Sequence, residues 1–352
     1  MSARRIRVLV VDDSAFARKV VREILEAAPS IEVVGIARDG LEALEKIAEL
    51  SPDVLTLDLM MPNLDGLGVL RALPAVNPPR VVVVSMTDDD SRLGLLALEA
   101  GAIDIVHKPT ALAVQRLYNM SEDLVAKVTA AAAARAPHVD ERPSIPSLHR
   151  APKPAHSIGT ANGVVVIGAS TGGPQALTRL LTALPADFPA PVAVVLHIPA
   201  GYTEAFAARL NTLSELEVIE GYEGAVLSVG RIIIARAGHH FTFRRSGDDC
   251  VVHQDLAPLD SIHRPSVDVM FHSAAEVYGE RTLGVVLTGM GQDGLDGARA
   301  IHAAGGTLVN EAESSCVVYG MPRAIRAAGL SAAEVPIDQM VDEIVRRMPL
   351  SK

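Results

Sequence analysis

Cysteine is scarce in this chain. Cys250 and Cys316 are the two present among 352 residues, and their positions have neither metal-ligand nor redox spacing. They read as packed thiols in a reducing compartment. Positive charge is also in deficit, with a formal net charge of −10, which argues against a nucleic-acid-binding output domain. Long apolar runs are missing as well. The start, Met-Ser-Ala-Arg-Arg-Ile-Arg and then Val8 to Val11, imitates a signal peptide, but its apolar run stops at Asp12-Asp13. That is too short for the hydrophobic region of a leader, and no segment reaches membrane-spanning length. The expectation is a cytoplasmic protein with no membrane insertion and no nucleic-acid partner.

What is present suggests two domains, since 352 residues suffice for two ordinary cores. One stretch organises the second of them, Gly163-Val-Val-Val-Ile-Gly-Ala-Ser-Thr-Gly-Gly-Pro174. Val164 to Ile167 predict a strand buried on both faces. Gly168, Gly172 and Gly173 allow a sharp reversal, and Pro174 opens an amphipathic helix. Ser170 therefore falls on a strand-to-helix turn, near free N–H groups that suit an oxyanion. The stretch fits Gly-x-Ser-x-Gly, as a nucleophile elbow does; such a turn can equally cradle a phosphate.

The N-terminal half alternates strictly. Strands are predicted over Ile6 to Val11, Val33 to Ala37, Val54 to Asp58, Val81 to Ser85 and Ile103 to Val106. Helices are predicted over Arg18 to Ala27, Gly40 to Leu50, Leu67 to Leu73 and Leu93 to Ala100, with a last one from near Ala111. This order predicts a doubly wound parallel sheet, whose chemistry lies beyond the carboxyl ends of the strands. Asp12, Asp13, Asp58, Ser85 and Lys108 all fall there. Three carboxylates together need a cation, and hard oxygen ligands suit Mg²⁺. Lys108 could neutralise a transferred phosphoryl group while the Ser85 hydroxyl bonds one of its oxygens.

Through Val11-Asp-Asp-Ser14, Asp58-Leu-Met-Met-Pro62, Asp65-Gly66, Ser85 and Lys108-Pro109, residues 4 to about 125 resemble a response-regulator receiver domain. The resemblance implies that Asp58 accepts phosphate from a histidine kinase. It also implies that Asp13, Asp58 and the backbone carbonyl of Met60 hold Mg²⁺, with Asp12 nearby. Ile105 stands where many receivers carry an aromatic switch residue, so a rotating-ring switch is not expected. Val125 to Ala136 holds an alanine tract at the end of the last receiver helix. From Pro137 to about Ala161 prolines, serines and histidines alternate without hydrophobic periodicity and read as a tether. His138, His149 and His156 have no ligand spacing.

After the Ser170 turn, β-α order returns. Pro191 to Leu196 ends at His197, and Leu216 to Glu220 and Arg231 to Ala235 are further strands. Phe241 to Arg244 and Val251 to Gln254 flank Ser246-Gly247-Asp248-Asp249 as a hairpin. A helix over Asp268 to Gly279, a strand over Thr282 to Leu287, a helix from Ala298, a strand over Gly306 to Asn310 and two last helices complete the prediction. Ser170, His197 and Asp293 each follow a buried strand and project from one sheet edge, as a triad requires. The chain order Ser, His, Asp differs from the Ser, acid, His of α/β-hydrolases. Those would need a base such as His302, which lies inside a helical pattern.

This half resembles the catalytic domain of the chemotaxis protein-glutamate methylesterases of the CheB type. The shared motifs are Gly168-Ala-Ser-Thr-Gly-Gly-Pro174, His197-Ile-Pro, His263-Arg-Pro-Ser-Val-Asp-Val-Met-Phe271, Thr288-Gly-Met-Gly-Gln-Asp-Gly294 and Val317-Val-Tyr-Gly-Met-Pro322. The layout implied is a flavodoxin-like receiver over 1–128, a flexible linker over 129–161 and a Rossmann-like methylesterase domain over 162–352. The resemblance implies Ser170 as nucleophile, His197 as base, Asp293 as its orienting partner and an oxyanion site near Thr171 and Met290, with no cofactor for the ester reaction. Its implied substrate is the γ-glutamyl methyl ester on cytoplasmic chemoreceptor helices, with deamidation of receptor glutamines beside it and a CheA-type histidine kinase as phosphodonor. Arg264 reads either as a receptor contact or as a structural residue. The two-domain layout implies that the unphosphorylated receiver covers the active-site edge. A non-catalytic receptor adaptor and a general carboxylesterase under receiver control are the competing readings. A transcriptional regulator is excluded by the lack of a basic helix-turn-helix after the linker.

Overall fold

The structure, a computed structural model, describes residues 4–85, 91–108, 114–134 and 163–348. The chain divides into two compact units, residues 1–144 and 145–352. The first contains β1 (Ile6–Val11), α1 (Ala15–Glu26), β2 (Ile31–Ala37), α2 (Gly40–Leu50), β3 (Val54–Leu57), α3 (Gly66–Ala72), β4 (Arg80–Ser85), α4 (Ser91–Glu99), β5 (Asp104–His107) and α5 (Val114–Ala133). Its five strands run in the order β2-β1-β3-β4-β5, all parallel. This is the flavodoxin-like winding, which reverses at β1 and opens a crevice between β1 and β3. The strands are near-continuous aliphatic runs because both faces are covered: Val8 to Val11 and all of β3 are buried. Side-chain caps start three helices. Ser14, Asp39 and Asp65 accept the N–H groups of Ala17, Glu42 and Gly68. The Ser14 cap moves the start of α1 to Ala15, three residues before the Arg18 that periodicity alone suggests.

The second unit contains β6 (Val164–Ala169), α6 (Gly173–Thr182), β7 (Val192–Leu196), α7 (Tyr202–Leu213), β8 (Glu217–Glu220) and β9 (Arg231–Ile234). A hairpin of β10 (His240–Ser246) and β11 (Asp249–Asp255) follows. The unit then continues through α8 (Val267–Tyr278), β12 (Thr282–Val286), α9 (Leu295–Ala303), β13 (Thr307–Glu311), α10 (Met321–Ala327), β14 (Ala333–Val335) and α11 (Ile337–Arg347). Seven parallel strands run β14-β13-β12-β6-β7-β9-β8. The order reverses at β6, whose neighbours are β7 on one side and β12 on the other. Helix α8 buries Val267, Met270, Phe271 and Ala274 in the same core as Val166 of β6 and Val195 of β7. The hairpin adds Phe241 and Phe243 to that core, their rings meeting edge to face at 5.5 Å. Burying each such ring stabilises the fold by about 1.5–3 kcal/mol.

The edge strand β14 was not anticipated; it has three residues, none fully buried, too few for a period to show. Helix α9 starts at Leu295, three residues before the expected Ala298, once Gly294 turns the chain at φ 97°. Helix α5 runs through Ala133, five residues into the stretch assigned to the linker. Pro109, the helix start near Ala111, the tether from 135 and its three histidines lie outside the described residues.

Candidate active site

In the second unit the site forms at the switch point around β6, where an open α/β sheet leaves a crevice. Ser170 immediately follows β6 and His197 immediately follows β7, paired strands in which Ala169 lies beside Leu196. Asp293 differs from expectation. It lies seven residues beyond the end of β12, and turns at Gly291 and Gly294, both at positive φ, carry it back to the histidine.

The Ser170 turn is tightly determined. Its N–H donates to the Thr288 carbonyl at 3.0 Å and its carbonyl accepts the Gly173 N–H at 2.6 Å. Gly172 caps α6 at φ 77°, a conformation that glycine adopts without a Cβ clash. The next loop presses directly on the serine: a Cβ on Gly289 would fall 2.8 Å from Ser170 Cβ and 2.4 Å from Met321 Sδ. Met290 follows that glycine, and Thr171 follows the serine, so both predicted oxyanion residues flank this contact. The Thr288 hydroxyl donates to the Thr171 carbonyl at 2.9 Å and accepts the Val318 N–H at 2.9 Å. Buried Glu311 accepts the Thr288 N–H at 2.8 Å, anchoring the loop from behind. Burial pushes the Glu311 carboxyl above its ordinary range, against the Thr288 N–H and the Ser315 hydroxyl.

His197 Nε2 lies 2.8 Å from Asp293 Oδ2, and both side chains are about nine-tenths buried. The other ring nitrogen, Nδ1, is buried without a hydrogen-bond partner. Asp293 Oδ2 also accepts the Val267 N–H at 2.7 Å, while Oδ1 accepts the Ser266 hydroxyl at 2.8 Å and the Asp268 N–H at 3.0 Å. Burial works to raise the Asp293 pKa, but the His197 bond and charge, with the N–H groups of Asp268 and Val267, hold it well below the usual carboxylate range. Asp268 behaves oppositely. Burial, with the neighbouring Asp293, pushes it up to about 6, against the Gly297 N–H. Sequence reasoning missed Ser266, Val267 and Asp268 as the donors to Asp293, 25 to 27 residues away in the chain. The signal available was a serine before an apolar helical run, an N-cap that marks free N–H groups.

The His263 ring stacks on His197, with centroids 4.0 Å apart and planes 17° apart. The Arg264 Nη2 donates to the Leu259 carbonyl at 3.2 Å, and the Arg264 carbonyl accepts the N–H of Gly238, between β9 and β10, at 2.9 Å.

In the first unit the predicted carboxylates also converge. Asp12, Asp13 and Asp58 each offer an oxygen within 4.8 Å of the others. Lys108 Nζ stands 2.6 Å from Asp12 Oδ2 and 2.9 Å from Asp58 Oδ2. An ammonium bridging two carboxylates shows that the cluster calls for positive charge, and its hard oxygen donors fit Mg²⁺. Burial raises the Asp58 pKa, opposed by the charge and hydrogen bond of Lys108 and assisted by the charge of Asp12. Ser85 ends β4, and its carbonyl accepts the Lys108 N–H at 2.8 Å. Met60 lies two residues past Asp58 with an exposed side chain, and Ile105 is fully buried in β5.

Comparison with known proteins agrees with both units. A family model for the CheB methylesterase matches residues 165–344, and one for the response regulator receiver domain matches residues 8–120. A protein-glutamate methylesterase/protein-glutamine glutaminase of Myxococcus xanthus is 57% identical over 96% of each chain. This chain belongs to the CheB methylesterase family. A relative of the same printed name from Geobacter sulfurreducens is 43% identical over 99% of this chain and 98% of its own. The crystal structure of the Thermotoga maritima CheB methylesterase catalytic domain is similar over 52% of this chain and 97% of its own, with a TM-score of 0.51 and 36% identity. In this chain the receiver match precedes the methylesterase match. No described helix is long and apolar enough to cross a membrane.

Proposed function

We propose that this CheB-family chain is a receiver-controlled hydrolase that removes methyl groups from γ-glutamyl esters on chemoreceptor helices and deamidates receptor glutamines. The observation that carries the reading is the 2.8 Å His197–Asp293 contact beside the Ser170 turn. Ser170 Oγ attacks the ester carbonyl. With Nε2 committed to Asp293, His197 takes the serine proton at Nδ1. Backbone N–H groups around Thr171 and Met290, at the start of α6 and in the glycine-rich loop, hold the oxyanion. Methanol leaves with the proton from His197, and water then releases glutamate from the acyl-enzyme by the same base. A glutamine loses ammonia by the same route.

Asp58 is the residue that accepts the phosphoryl group, from a CheA-type histidine kinase. Asp12, Asp13 and Asp58, with the Met60 carbonyl, would hold Mg²⁺, which when bound neutralises charge on the incoming phosphoryl oxygens. Lys108 supplies a fixed positive charge there, and Ser85 a hydroxyl at the end of β4. The chain works in the cytoplasm, where both partners present their reactive groups.

The test is methanol release from radiolabelled, methylated receptor membranes, comparing wild type with Ser170→Ala, each with and without acetyl phosphate. Release by wild type alone, rising with phosphodonor, is expected. Release surviving in Ser170→Ala refutes the nucleophile; release indifferent to phosphodonor refutes receiver control.

A further inference from the structure

We propose that His263 is a positioning residue for the ester reaction: its ring stacks on His197 and fixes the plane in which Nδ1 meets the serine. The inference rests on the reading of His197 as base. A single hydrogen bond, from Nε2 to Asp293 at 2.8 Å, pins one atom of an imidazole but leaves the ring plane free to tilt about that contact. The second constraint is the face of His263, 4.0 Å away and 17° from parallel. With both in place, the ring plane is held while the buried Nδ1, which has no hydrogen-bond partner, stays free to take a proton.

The same short segment supplies both constraints. Ser266 Oγ, Val267 N–H and Asp268 N–H bind Asp293, and His263 lies three residues before Ser266. Its carbonyl accepts the Ser261 hydroxyl at 2.8 Å, and the Arg264 carbonyl accepts the Gly238 N–H at 2.9 Å. One continuous turn therefore orients the carboxylate behind the base and the ring on its face, and a shift of the turn would move both together.

The stack also acts on charge. When His197 takes the serine proton it becomes an imidazolium, and a cation over an aromatic face in a desolvated site is attracted by up to about 2 kcal/mol. That gain exists only after proton transfer, so it lowers the barrier rather than tightening ground-state binding. The expected signature is a change in kcat with KM kept.

The experiment uses the full chain and a fluorophosphonate probe, which reacts with an activated serine and needs no receptor. His263→Phe keeps a flat ring, His263→Leu keeps an apolar filler without a π face, and His263→Ala removes both. Labelling rates are expected to stay near wild type in His263→Phe and to fall about ten-fold in His263→Leu and His263→Ala, at wild-type melting temperature for the leucine variant. Methanol release from receptor membranes should show the same order in kcat with KM unchanged. Equal rates in all four proteins, or equal losses in the phenylalanine and leucine variants, overturn the stacking role. A wild type that labels in this order but releases no methanol leaves His263 standing and refutes only the receptor-ester reading. A wild type that does not label refutes the base and His263 with it.

Discussion

At the scale of single residues, the site is a set of opposed environments. Asp293 and Asp268 are neighbours, yet four donors hold the first ionised while burial keeps the second protonated to about pH 6. Asp293→Asn removes the charge and places an amide among donors. Turnover should drop by roughly 10³–10⁴-fold, measured as methanol release, with a lowered melting temperature beside it as the donors at the start of α8 lose a carboxylate acceptor. His197→Ala should cost at least the ~10²–10⁴ typical of a general base. Asp268 makes a stability prediction. Its folded pKa is raised from 3.8 to about 6, so its contribution is most favourable below pH 3.8 and is lost as pH rises through 6. In Asp268→Asn this component should vanish, so melting temperatures followed from pH 4 to pH 7 should decline less than in wild type. Ser170 and His197 were legible in the sequence because each sits at the end of an aliphatic run. Their partners were not: the donors to Asp293 and the ring on His197 come from a turn whose place depends on how α8 docks, which no local period encodes.

At the scale of elements, the loop after β12 matters more than its irregular shape suggests. Gly289 lets it press on Ser170, and Glu311 of β13 anchors Thr288 from behind. Gly289→Ala should cost about 1–3 kcal/mol through overpacking and depress ester hydrolysis beyond what the stability loss explains, since the displaced atoms include Ser170 Cβ. Thermal melting beside methanol release checks this. In the receiver, Lys127 of α5 donates to the Ile105 carbonyl at 2.7 Å and pairs with buried Asp104 at 3.3 Å. Lys127→Ala should take this ammonium from buried Asp104 and destabilise that unit by about 3–5 kcal/mol, visible in urea unfolding. The parallel strands were legible from their composition. The three-residue β14 was not, because an edge strand that short gains its order from β13.

At the scale of the whole chain, two doubly wound sheets of opposite task follow one another. One gathers carboxylates at its switch point and the other a serine, a histidine and a distant carboxylate. Strict alternation made both sheets legible, and strand ends marked the positions of Ser170, His197 and the receiver carboxylates, though not that of Asp293. If Asp58 governs the esterase, Asp58→Asn should show no rise in methanol release with acetyl phosphate, whereas wild type should. The same comparison after chelation of divalent cations should abolish the wild-type response while leaving Ser170 labelling by a fluorophosphonate intact.

The bonds to Asp293 have an evolutionary consequence. Ser266 is the N-cap of α8, and Asp293 takes the first N–H groups of that helix as well as the hydroxyl of its cap. The carboxylate is thus a splice holding the start of a core helix to the loop after β12, and its loss would leave helix donors without acceptors. Ser170 has no comparable bond through its side chain to give up. If Ser170 is the nucleophile, a descendant that abandoned ester hydrolysis would shed its serine by drift long before its aspartate, and an inactive relative should be recognised by a missing Ser170 beside a retained Asp293.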